Sequence, residues 1–232
     1  MKKKSFTAAV AALLIGGSLS ASAQLSAGHI MLTGSAGYTS GKDGTGDRSN
    51  VRTTGRISPQ VGYFVAENLA IGLGLSYSGD TYMRQDKSNS GNGTSAITET
   101  SVALTYGPFV RYYKPVGERA AFFGQLGLNI GNVTDSQKLE GSNFEGQKAD
   151  KDVKYSLLGA SLSPGFTFFP TDHFGLEISM GGLSYGRSKL KDKPEGTEVP
   201  DTWEDDNTET SLDASFGLQG LSIGATWYLG GK

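Results

Sequence analysis

NLAIGLGLSYSG, residues 68–79, is the stretch that decides the fold. Leu69, Ile71, Leu73, Leu75 and Tyr77 fall on every second residue, with only Ala70, Gly72, Gly74 and Ser76 between them. A period of two is the signature of a β-strand with one apolar face. In a half-buried strand of a water-soluble sheet the second face is polar and solvated, whereas here it carries almost nothing. The alternation therefore sets a strand and leaves open which of its faces is inside.

Working outward, the same alternation predicts eight strands, at 30–40, 53–64, 69–78, 97–113, 120–131, 153–169, 174–186 and 210–228. The links between them alternate in kind. VAEN (65–68), KPVGER (114–119) and PTDH (170–173) are short. GKDGTGDRSNVR (41–52), GDTYMRQDKSNSGNGTSA (79–96), 132–152 and 187–209 are long and hydrophilic. An even number of strands with short turns at one pole and long loops at the other matches an eight-stranded, antiparallel, up-and-down transmembrane β-barrel.

The two parities then orient the wall. One is apolar, as in Ile57, Val61 and Tyr63 or Leu126, Leu128 and Ile130; the other is small or polar, as in Ser58, Gln60 and Gly62 or Gln125, Gly127 and Asn129. A soluble barrel fills its inside with the apolar set and places charge outside. Here the sparse set is too small and too uncharged for a wet exterior but suits a narrow lumen, so the apolar set faces lipid. Glycine, 34 of 232 residues, is about twice the average usage of roughly 7% and reads as lumen space and strand bending. Tyr63, Tyr112, Phe122, Phe168, Phe174 and Trp227 near the short turns, and Tyr38, Tyr77, Tyr155 and Tyr185 towards the long loops, are expected to form two interfacial girdles.

Two features break the pattern. The last strand changes phase between Leu212, Ala214, Phe216 and Leu218 and the later Leu221, Ile223, Ala225 and Trp227, which predicts a β-bulge at Gln219 and Gly220. Pro59, Pro108 and Pro164 stand inside strands, where a missing donor is costly, and are read as local bends.

The chain opens MKKKSFTAAVAALLIGGSLSASAQ, with Lys2, Lys3 and Lys4, an apolar run and a small-residue site ending at Ala23. This is read as a secretory signal peptide, residues 1–23, cleaved before Gln24, with the barrel domain at 24–232. The sequence has no cysteine, which excludes a disulfide framework, a thiol catalyst and a cysteine metal site. Removing the three leader lysines from 21 basic residues leaves 18 against 23 acidic, a formal charge of about −5 with no basic cluster. Nucleic acid is thus not an expected partner.

The signal peptide and the hairpin GYFVAENLAIGLGLSYS (62–78), with echoes in SPGFTFFPTDHFGLEISMGGLSY (163–185) and GPFVRYYKPVGERAAFFGQLGLNIG (107–131), resemble the small outer-membrane β-barrel "porin family" of Gram-negative bacteria, a group often seen in Bacteroidetes. The resemblance covers essentially all of 24–232 and specifies a scaffold rather than a chemistry. It implies residence in the outer membrane, reached through the periplasm, and insertion by the barrel-assembly machinery, which reads an aromatic-rich final strand. LSIGATWYLGGK (221–232) supplies Trp227 and Tyr228, though it ends on Leu229, Gly230, Gly231 and Lys232 instead of the usual terminal aromatic.

Candidate sites follow from the barrel reading. Gln60, Arg111, Gln125 and Glu177 each lie about five residues above a short turn on the inward parity, and Arg56 lies higher. They are expected to form a hydrogen-bonded plug centred on an Arg111 to Glu177 ion pair across the lumen. The acidic last loop, KLKDKPEGTEVPDTWEDDNTE (189–209), offers Trp203, Asp205 and Asp206 as a surface-interaction candidate. Its carboxylates are read as solvated among divalent cations and lipopolysaccharide, since their spacing fits no EF-hand. Only His29 and His173 are available as imidazole bases, both at the short-turn pole, so no catalytic site, cofactor or metal is expected. The expected function is an integral outer-membrane barrel with a plugged lumen and four extracellular loops in a structural or surface-interaction role. A narrow channel for ions or very small solutes is the alternative, and a membrane-embedded enzyme a more distant one. Outer-membrane lipid, lipopolysaccharide and an extracellular partner are the expected contacts.

Overall fold

The computed structural model describes residues 25–44, 48–87, 94–140, 151–192, 208–216 and 221–230. The signal peptide, Trp203, Asp205, Asp206 and the bulge expected at Gln219 and Gly220 lie outside the described residues. Among the described residues ten strand segments occur in chain order: β1 (Ile30–Asp43), β2 (Arg48–Ala66), β3 (Leu69–Lys87), β4 (Thr94–Pro115), β5 (Ala120–Glu140), β6 (Lys151–Thr171), β7 (Phe174–Ser179), β8 (Gly182–Asp192), β9 (Thr208–Ser215) and β10 (Ser222–Leu229). Each pairs antiparallel with its neighbour from β1 to β6. Both β7 and β8 pair with β6, β7 pairs with β10, and β8 with β9. They are the lower and upper halves of a seventh stave, as β10 and β9 are of an eighth. The ring closes where β10 meets β1, from Ile30 opposite Leu229 to Ala36 opposite Ile223. Along this seam closure leaves no sheet edge, as hydrocarbon requires, while among the described residues β9 is paired on one side only, to β8.

The apolar parity faces out, as the small-residue parity requires: Leu73 is 62% exposed and Ile57 56%. In β3 this band runs from Leu69 to Tyr77, about 26 Å along the strand and about 20 Å of height at a tilt of ~40°. Tyr63, Tyr112, Phe122 and Trp227 border it at the short-turn end, and Tyr38, Tyr77 and Tyr185 at the other. Tyr155 does not join them. It falls on the inward parity of β6, opposite Val133, because the outward parity there is that of Leu158 and Leu162.

Strands β2 to β6 run for 19 to 22 residues, about twice the ~9–11 that span a bilayer. Segments expected to be loops, such as 48–52 and 79–87, continue the ladder, with Arg48 opposite Asp86 and Arg52 opposite Tyr82. Beyond the membrane both faces of the sheet meet water, so the alternation that marks a strand in lipid disappears from the sequence while pairing persists. Cross-strand pairs such as Arg48 with Asp86 and Arg52 with Asp80, both at 3.1 Å, sit on this extension.

Each strand proline marks a gap in one ladder. Between β2 and β3 pairing lapses at Ser58 and Pro59 and resumes in the same register at Gln60 opposite Gly74. Between β4 and β5 it lapses at Gly107 and Pro108. At Pro164 the register itself shifts: Gly165 pairs Ser179, but Leu162 pairs Leu183, so one extra residue stands on the seventh stave. The expected single strand over 174–186 is thereby split at Met180 and Gly181, and its outward parity changes from Leu176 and Ile178 to Leu183 and Tyr185. Gly182 has φ +149°, and a Cβ there would lie 2.0 Å from the Leu162 carbonyl oxygen. The eighth stave changes phase as the sequence predicts, with Leu212 and Phe216 outward below the break in chain order and Ile223 and Trp227 outward after it.

Candidate functional site

The lumen is filled in two tiers. Nearest the short turns, Leu25, Met31, Phe64, Phe109, Tyr113, Phe123, Phe169 and Tyr228 are all buried. Their rings touch in a chain across the barrel: Phe64 to Tyr113 at 5.7 Å between centroids, Tyr113 to Phe123 at 5.7 Å, Phe64 to Tyr228 at 6.2 Å and Phe169 to Tyr228 at 5.7 Å. The segment before β1 folds under this floor. Asn68 N–H donates to the Leu25 carbonyl at 2.7 Å, and Gly28 N–H to that of Phe64 at 2.9 Å, which holds Leu25 in the mouth.

This apolar floor corrects the expectation of a lumen lined by small and polar residues and plugged by polar ones alone, yet it has a sequence signal. Aromatic doublets stand next to the short turns or the chain end: Tyr63-Phe64, Tyr112-Tyr113, Phe122-Phe123, Phe168-Phe169 and Trp227-Tyr228. Consecutive strand residues point to opposite faces, so each doublet places one ring in the lipid girdle and the other in the floor.

On the floor rests the charged tier. Arg111 of β4 stands opposite Ala70 of β3 and Gln125 of β5; the small Ala70 side chain leaves the guanidinium free to cross the lumen. Nη1 lies 2.9 Å from Glu177 Oε1 and 3.0 Å from Oε2, and donates to Tyr113 Oη at 3.0 Å. Nε donates to Gln125 Oε1 at 2.7 Å and Nη2 to Gln60 Oε1 at 3.2 Å. The Phe123 ring centroid lies 4.4 Å from the guanidinium carbon, within cation–π range. On the other side, Thr33 Oγ1 donates to Glu177 Oε2 at 3.2 Å, and Thr226 Oγ1 donates to Oε1. The two side chains of the pair are 5% and 7% exposed.

Gln60, Arg111, Gln125 and Glu177 are thus brought into one layer, at the spacing counted from the turns. Arg56 is not part of it: it lines the space above, and among the described residues it has no hydrogen bond or ion pair to another side chain. Sequence reasoning missed Thr33 and Thr226, which β1 and β10 bring to the carboxylate from across the closing seam. Their signal is the inward parity of those strands, set by Met31 and Tyr228. A buried ion pair is tolerated when its remaining lone pairs and protons find partners, and here Gln60, Gln125 and Tyr113 accept from the guanidinium while Thr33 and Thr226 donate to the carboxylate. Both charged groups of the layer are engaged with each other, and neither is left free as a base. Among the described residues no group of His, Asp or Glu is placed to hold a metal ion.

A family model described as the outer membrane protein beta-barrel domain matches residues 9–219. No curated protein matches the chain. Among solved structures, the chain is similar to the outer membrane protein OprG from Pseudomonas aeruginosa, with 15% identity, 90% of this chain and 99% of that one covered, and a TM-score of 0.39. Neisserial surface protein A is matched at 16% identity, 87% and 97% coverage and a TM-score of 0.35. The N-terminal β-barrel domain of Pseudomonas aeruginosa OprF follows at 11% identity, 88% and 98% coverage and a TM-score of 0.33.

Proposed function

The chain belongs to the outer membrane protein beta-barrel domain family, and on that premise we propose that it is a sealed barrel whose work is done at the outer surface of the outer membrane. The observation that carries this reading is the Arg111 to Glu177 layer seated on the aromatic floor. An ion crossing the bore has to displace a buried, charged hydrogen-bond network and then pass an apolar plug, and either step is costly. The strand extensions that rise past the membrane, with the hydrophilic loops above them, are the surface presented to an extracellular partner. Outer-membrane lipid and lipopolysaccharide surround the apolar band, and the barrel-assembly machinery acts during insertion.

His29 and His173 lie at the short-turn end, where His29 Nδ1 is 3.0 Å from the Ser26 carbonyl oxygen. No imidazole therefore stands at the outer pole among the described residues, which supports a non-catalytic role. The test is conductance of the refolded protein in planar bilayers. A silent wild type with leak from Glu177→Ala is expected; steady unitary steps from the wild type would instead make the protein a narrow channel.

A further inference from the structure

The lumen above the charged layer remains open. A well of about 200 Å³ lies between Thr33, Ser58, Ser76, Thr105 and Ser161, floored by Arg111 and Phe123. It continues into a chamber of about 520 Å³ on the side away from the floor. Arg56 borders both. The walls are hydroxyls and amides, of which Ser58 and Ser76 face each other at 3.0 Å and Asn129 donates to Ser161 at 3.3 Å.

Charge singles out Arg56. The Arg111 and Glu177 charges cancel at 2.9 Å. Arg56 stands opposite Ser78, and the inward carboxylate one step further along β3, Asp80, is already held by Arg52 at 3.1 Å and Thr54 at 2.7 Å. Among the described residues Arg56 is thus left without a salt-bridge partner at the mouth of the well, with Asp135 and Glu99 facing the lumen one and two steps above it. A guanidinium is a planar fork suited to carboxylate or phosphate oxygens, and clustered hydroxyls are suited to a body that can both donate and accept. The well has room for about seven waters at ~30 Å³ each, the space of a single sugar ring.

We propose that this well binds a monosaccharide-sized ligand carrying one oxyanion, carboxylate or phosphate, on a hydroxyl-rich body. Arg56 takes the oxyanion and the serine and threonine hydroxyls take the body. The inference rests on the sealed-lumen reading, because a ligand held over a closed floor is retained, whereas one in an open bore passes through.

The test is amide chemical-shift titration of the full chain in detergent micelles with sodium glucuronate, glucose 6-phosphate, glucose and inorganic phosphate. Saturable shifts at Ser58, Ser76 and Ser161 are expected with one or both of the sugar anions, and whichever binds tighter identifies the oxyanion. Glucose and inorganic phosphate should each bind at least about ten-fold more weakly, since each lacks half of the recognition. Arg56→Gln, at a side chain without a partner among the described residues, should fold normally and bind at least about ten-fold more weakly. Ser76→Leu fills the well without altering charge and should abolish the shifts. Absence of a saturable response in a barrel that is silent in bilayers overturns the inference alone, as does binding indifferent to both variants. Unitary conductance of the wild type overturns the sealed-lumen reading first, and the inference with it.

Discussion

Removing the Glu177 carboxylate is the perturbation that most directly questions the charged layer. Glu177→Ala takes away both oxygens that face Arg111 Nη1 at 2.9 and 3.0 Å, and also the acceptor for Thr33 and Thr226. The Arg111 guanidinium, its side chain 5% exposed, keeps Gln60, Gln125 and Tyr113 but loses its counter-charge. Breaking a buried pair from one side costs about 3–5 kcal/mol, chiefly the penalty of the abandoned charge. The double variant Arg111→Met with Glu177→Leu removes both charges and should recover most of that loss. Urea unfolding of the refolded barrel in lipid vesicles, followed by tryptophan fluorescence, measures the series. A loss below about 1 kcal/mol for Glu177→Ala, or no recovery in the double variant, would refute the view that the pair is one desolvated unit.

Three further outcomes are expected. Thr33→Val and Thr226→Val each leave a carboxylate oxygen short of a donor and should cost about 1–3 kcal/mol in the same unfolding measurement, less than additively because both hydroxyls serve one carboxylate. Leu73→Arg, on the lipid face in the middle of the apolar band, should destabilise by about 2–4 kcal/mol, while the same change at Tyr38, at the upper border, should cost about 1 kcal/mol or less. Gly107→Ala places a Cβ 1.9 Å from the Leu128 carbonyl oxygen and should lower refolding yield on a gel that separates folded from unfolded barrel, whereas Gly124→Ala, with open space around its Cβ, should leave the yield unchanged.

What could be read in the sequence is what depends on neighbours along the chain. The period of two in 68–79 and its seven companions set the strand count. The emptiness of the second parity set which face meets lipid, and counting from the short turns put Gln60, Arg111, Gln125 and Glu177 at one height. Each of these is a local rule carried by two-fold periodicity and turn position. The aromatic doublets, such as Tyr112-Tyr113, carried the floor in the same local code, although its signal is plain only once both faces are known to be packed.

What tertiary structure decided is what depends on the ring. Thr33 and Glu177 are 144 residues apart in sequence, and Thr33 and Thr226 are 193 apart; only closure of β10 onto β1 brings them to one carboxylate. Arg56 shares the inward parity of Gln60 but ends in open lumen, because side-chain reach across a bore depends on which strands stand opposite and not on the count from a turn. The upper ladders of β2 to β6 persist without any apolar alternation, since in water a paired backbone needs no greasy face. The split of the seventh stave at Met180 and Gly181 is likewise set by the partner strand: Pro164 of β6 interrupts the ladder there, and the register on either side shifts by one.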